Sequence, residues 1–79
     1  MPKIIIDTNT LLSGLFFRGN ERKFLEAILL GRGRLVLPEH VINETRKIIE
    51  RKAGKLGNTE HALAMLGLII ETSEIVELE

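Results

Sequence analysis

Residues 3–13 read Lys-Ile-Ile-Ile-Asp-Thr-Asn-Thr-Leu-Leu-Ser. Ile4, Ile5 and Ile6 are β-branched, and branching at Cβ stiffens χ1 and suits the pleated backbone of a strand. An unbroken apolar run is the pattern of a strand covered on both faces, as in a parallel sheet. Asp7, Thr8, Asn9 and Thr10 follow. Their short polar side chains bond nearby amides and favour turns and helix N-caps. Leu11, Leu12 and Leu15 then fall at helical spacing. The stretch reads as strand, sharp turn and helix, with Asp7 at the carboxyl end of the strand. In open α/β sheets that end is where ligands collect. By itself, Asp7 is as well explained by capping as by binding.

The rest of the chain repeats this alternation. Arg18, Gly19 and Asn20 interrupt the helical pattern, and Asn20 is suited to cap a second helix with Glu21 in its first turn. Phe24, Leu25, Ile28 and Leu29 give that helix an apolar face, and Gly31 and Gly33 end it. Leu35, Val36 and Leu37 form a second strand closed by Pro38. Residues 39–52 form a third helix, with Val41, Ile42, Thr45, Ile48 and Ile49 on one stripe and Arg46, Lys47, Glu50, Arg51 and Lys52 on the wet side. Gly54 and Gly57 open a loop, and Asn58 or Thr59 caps a fourth helix. Its buried face is Ala62, Leu63, Met65, Leu66, Ile69 and Ile70. Ile75, Val76 and Leu78 read as a third strand. The order β-α-α-β-α-α-β predicts a three-layer α/β unit on a small parallel sheet, with strands joined by right-handed crossovers.

A chain of 79 residues makes one small domain, residues 1–79, and 44% hydrophobic content suffices for its core. No apolar run approaches a membrane span, and the N-terminus does not read as a signal peptide. Cysteine is absent, which removes disulfides and thiolate metal sites and leaves a cytoplasmic location as the expectation. Charge is uneven along the chain. Residues 1–55 set eleven Lys and Arg against six acids, a net +5, whereas residues 56–79 hold five Glu and no Lys or Arg, a net −5. A basic section attracts phosphates. With only Phe16, Phe17 and Phe24 aromatic, no base-stacking platform shows in the sequence.

The string Ile-Ile-Ile-Asp-Thr-Asn-Thr-Leu-Leu-Ser-Gly resembles the opening of PIN-domain nucleases, particularly the toxin components of toxin–antitoxin systems. The element order matches the N-terminal half of such a domain. In that family the first strand delivers an Asp to a divalent-metal site, and a second acid lies on the helix after the second strand. The resemblance therefore implies Asp7 and Glu44, within Pro-Glu-His-Val-Ile-Asn-Glu-Thr, as the acids that hold Mg²⁺ or Mn²⁺. Asn9 supports them by orienting a water or a phosphate oxygen. RNA is the implied substrate and a small antitoxin protein the implied partner. The family's later acids would follow the last residue of this sequence, so the resemblance is to a truncated domain. A first strand left at the sheet edge would favour a homodimer or higher homo-oligomer.

The chemistry of the residues agrees with that carry-over. Mg²⁺ and Mn²⁺ are hard cations that prefer carboxylate and water oxygens. Glu44 lies one turn after Val41 and one turn before Ile48, which predicts partial burial. Its alternative role is a helical pair with His40 or Lys47. His40 and His61 lie on different helices without a second His or Cys at ligand spacing, which argues against zinc. Ser13 reads as a small packing residue, and Gly31-Arg32-Gly33-Arg34 as a helix end. The competing functional class is a catalytically inactive PIN-like remnant used for protein interaction or self-association. A plain nucleic-acid-binding module would rest on the +5 section alone.

Overall fold

The computed structural model describes residues 3–52, 55 and 57–77. Among them the chain runs β1 (Lys3–Ile5), α1 (Thr8–Phe16), α2 (Asn20–Leu29), β2 (Arg34–Pro38), α3 (Glu39–Arg51), α4 (Thr59–Thr72) and β3 (Glu74–Val76). The strands form one parallel sheet in the order β1-β2-β3, with Ile4 beside Leu35 and Leu37 beside Ile75. The α/β class, the parallel sheet and the element order are those expected from the sequence.

One core holds the layers together. Ile6, Leu35 and Leu37 lie in a single buried cluster with Leu11 and Leu15 of α1, Leu25 and Ile28 of α2, Val41, Ile42 and Ile49 of α3, and Ala62, Met65, Leu66 and Ile69 of α4. Side chains alternate across a strand. Leu35 and Leu37 are fully buried, whereas Lys3, Ile5 and Arg34 are exposed and Val36 is half-buried. Two crossovers of one hand in one direction place every helix on the same face. Of the three layers expected, the described residues supply the helices and the sheet.

This arrangement corrects the reading of the first strand as covered on both faces. Ile5 is 68% exposed, on the face opposite the helices. Lys3 and Glu74 meet at 3.4 Å, with both side chains well exposed. β1 is also an edge, since only β2 pairs with it among the described residues.

Helix ends follow local chemistry with two shifts. The α2 terminus closes as a Schellman turn: Gly31, at φ 82°, donates to the Ile28 carbonyl and Arg32 to the Ala27 carbonyl. At the other end of α2, Gly19 is the N-cap and Asn20 is already helical. Asn58 precedes α4 in a left-handed conformation and makes no side-chain cap bond. Gly54 and Leu78 lie outside the described residues.

Candidate metal site at the carboxyl end of the sheet

Asp7 leaves β1 in an extended conformation and becomes the N-cap of α1. Its Oδ1 accepts the Thr10 backbone N–H at 2.8 Å, and its carbonyl accepts the Leu11 N–H at 3.1 Å. Leu11 and Leu15 fix the helix in the core behind it. The Thr10 backbone N–H, and after it the Thr10 side chain, hold the Asp7 carboxyl below its ordinary pKa of 3.8. Asp7 is therefore ionised at neutral pH, and it is solvent-exposed. Capping and an available anion coexist because a carboxylate has more acceptor sites than the cap uses.

The carboxylate opens into a groove of about 650 Å³ at the carboxyl end of β1 and β2. Ile4, Ile5 and Ile6 line it with Thr10, Phe24, Pro38, His40 and Val41. His40 thus shares a groove with Asp7, although plain surface exposure is the simpler reading of its sequence. Its place in the sequence, on the acid-bearing helix two residues after Pro38, allows it to face the site, and it is both exposed and a lining residue of the groove.

Glu44 lies on α3, one turn beyond His40, and is exposed. The expected partial burial is not found. Val41, Ile42, Thr45 and Ile49 take the buried face, and Thr45 Oγ1 donates to the Val41 carbonyl at 2.6 Å there. Glu44 falls outside that arc and makes no hydrogen bond or ion pair among the described residues, so the pairing with His40 or Lys47 is not formed either. Asn9, also exposed, lines a second, smaller groove between α1 and α3 with Leu12, Ser13, Phe16, Phe17, Ile48 and Lys52. The structure therefore joins Asp7 with His40 in one groove and places Asn9 and Ser13 in the next. Glu44 belongs to the α3 flank between them, one turn before Ile48.

No group of three metal-binding side chains forms among the described residues. The donors present nonetheless fit Mg²⁺ or Mn²⁺. Such ions are held by one or two carboxylates, with waters and substrate phosphates completing the shell. An ionised, exposed Asp7 and an exposed Glu44 with no hydrogen bond or ion pair among the described residues are donors of that kind.

A sequence model of the PIN domain matches residues 3–79, so the chain belongs to the PIN-domain family. Membership suggests a nuclease-like function. No curated protein and no solved structure matches the chain. No helix among the described residues is long and apolar enough to cross a membrane.

Proposed function

We propose that this chain is a PIN-type, metal-dependent ribonuclease of the cytoplasm, a toxin component of a toxin–antitoxin pair, with Asp7 and Glu44 as its metal-holding acids. One observation carries the reading: an ionised carboxylate at the carboxyl end of β1, held by the first turn of α1 and facing an open groove. A bound divalent cation would lower the pKa of an attacking water and offset charge on the cleaved phosphate. The chain's own part is to supply the anions and to orient the substrate. Asp7 caps α1 through Thr10 and keeps acceptor capacity for the ion. Asn9, two residues further and exposed, orients a water or a phosphate oxygen. Net positive charge over residues 1–55 attracts the RNA.

The test is cleavage of a labelled RNA with Mg²⁺ or Mn²⁺ beside Asp7→Ala. Cleavage that needs the ion and is lost in the variant supports the reading. Cleavage unchanged in the variant, or absent, rejects it for this chain.

A second reading is an inactive PIN-like module that associates with itself or another protein. It is favoured by the exposed Ile5 on an edge strand. An antitoxin protein and a second copy of the chain are the partners proposed, and a homodimer is compatible with either reading.

A further inference from the structure

Of the described residues that line the groove at the carboxyl end of the sheet, only Asp7 and His40 have ionisable side chains. Apart from Thr10, the others are apolar. Asp7 is a metal donor in the proposed site, and His40 has no task there.

Strand register brings these two residues to one place. Ile5 pairs with Val36 in the parallel ladder. Asp7 lies two residues beyond Ile5, and Pro38 lies two beyond Val36. Neighbouring strands are about 4.8 Å apart, so the chain leaves β1 and β2 side by side. His40 then enters the first turn of α3, which Pro38 precedes as N-cap and which buried Val41 and Ile42 hold to the core. Its backbone is thus fixed, whereas its side chain is exposed and makes no hydrogen bond or ion pair among the described residues. Glu44 follows four residues later on the same side of α3, so His40 lies at the groove end of the row that carries the second acid. A histidine that ligates a metal is held neutral. His40 forms no three-donor group with Asp7 and Glu44 among the described residues, and its imidazole keeps the capacity to carry a proton.

We infer that His40 is the general acid of phosphodiester cleavage, the residue that protonates the leaving oxygen. The inference rests on the ribonuclease reading. In the reaction a water oxygen bonds to phosphorus and the water's proton passes to solvent. The bond from phosphorus to the sugar oxygen breaks, and His40 gives that oxygen a proton, which it regains from water. A sugar hydroxyl leaves poorly as a bare alkoxide, so a positioned acid lowers the barrier. Histidine suits the task because its side chain exchanges protons near neutral pH. The Thr10 side chain, the other polar group of the lining, is already engaged with the Asp7 carboxylate.

The experiment compares two substrates with Mn²⁺: a labelled RNA, and bis(p-nitrophenyl) phosphate, whose nitrophenolate leaves without being protonated. His40→Gln is expected to slow RNA cleavage by about 100- to 10,000-fold and cleavage of the nitrophenyl diester by less than about threefold. Asp7→Asn should lose both activities, and His61→Gln, which alters the histidine outside the groove, should keep both. Free imidazole is expected to restore part of the RNA cleavage of His40→Ala, which a damaged fold would not allow. Circular dichroism melting of each variant confirms that it is folded. A loss of equal size on both substrates, or no loss on RNA, overturns the role of His40. Cleavage by the parent that Asp7→Asn abolishes and His40→Gln leaves intact keeps the ribonuclease reading and rejects the general acid. A parent that cleaves neither substrate rejects that reading and the role of His40 with it.

Discussion

Asp7 does two things with one carboxylate, and substitutions can separate them. Asn at position 7 keeps an oxygen for the Thr10 N–H but carries no charge, whereas Ala removes both. We expect Asp7→Asn to melt slightly below the parent at neutral pH and to lose metal-dependent cleavage, and Asp7→Ala to lose cleavage and melt lower still. Thermal melting and an RNA cleavage assay on the same preparations check this. The acid dependence has a definite sign. Folding lowers the Asp7 pKa, so the stabilisation by the ionised form is complete above 3.8 and is lost as pH falls through the lower folded value. The melting difference between parent and Asp7→Asn should therefore stay constant near neutrality and shrink in acid below 3.8. Asp7 was legible because strand, polar turn and helix leave a single acid at the sheet's carboxyl end. The place of Glu44 on the third helix could be read from the sequence, but its environment could not. It is next to buried neighbours in sequence, but the helix turns it off the arc taken by Val41, Thr45 and Ile49.

At the scale of elements, the seam between α1 and α2 is a close packing that holds the helix behind Asp7. A Cβ on Gly14 would meet Leu25 Cδ1 at 2.5 Å and the Glu21 carbonyl oxygen at 3.0 Å. Arg22 ties the same seam by donating to the Gly14 and Leu15 carbonyls at 2.5 and 2.7 Å. Gly14→Ala is expected to destabilise by about 1–3 kcal/mol, because backbone on one side cannot give way. Gly67 offers the opposite case. It lies exposed inside α4, and a Cβ there would meet nothing within 4 Å. Gly67→Ala should stabilise by about 0.5–1 kcal/mol, the entropy a helical glycine wastes. Urea unfolding of the two variants measures both. Element order and the stop at Gly31 could be read from the sequence, since periodicity and glycine act locally. The tight α1–α2 approach could not, because a glycine after Ser13 looks the same whether or not Leu25 lies over it.

At the scale of the whole molecule, the consequence of topology is a sheet face and an edge that no helix or strand among the described residues covers. The run Ile4-Ile5-Ile6 suggested burial on both sides, yet both crossovers put their helices on one side and leave Ile5 bare. Local sequence cannot distinguish a strand covered within its own chain from one that needs another surface. Edge strands with apolar side chains pair with other chains unless charge prevents it. We expect sedimentation equilibrium of this chain to show a mass that rises with concentration, and Ile5→Lys to restore the monomer. A monomer at every concentration would reject self-association.

The central claim is that Asp7 and Glu44 hold the same divalent ion, and Mn²⁺ titration followed by electron paramagnetic resonance tests it most directly. Parent, Asp7→Asn, Glu44→Gln and the double variant are compared after melting shows that each is folded. If the two acids share one ion, each single variant weakens Mn²⁺ binding by about tenfold or more, and the two losses are not independent in the double variant. Mn²⁺ affinity unchanged by Glu44→Gln, or by Asp7→Asn, would contradict the account.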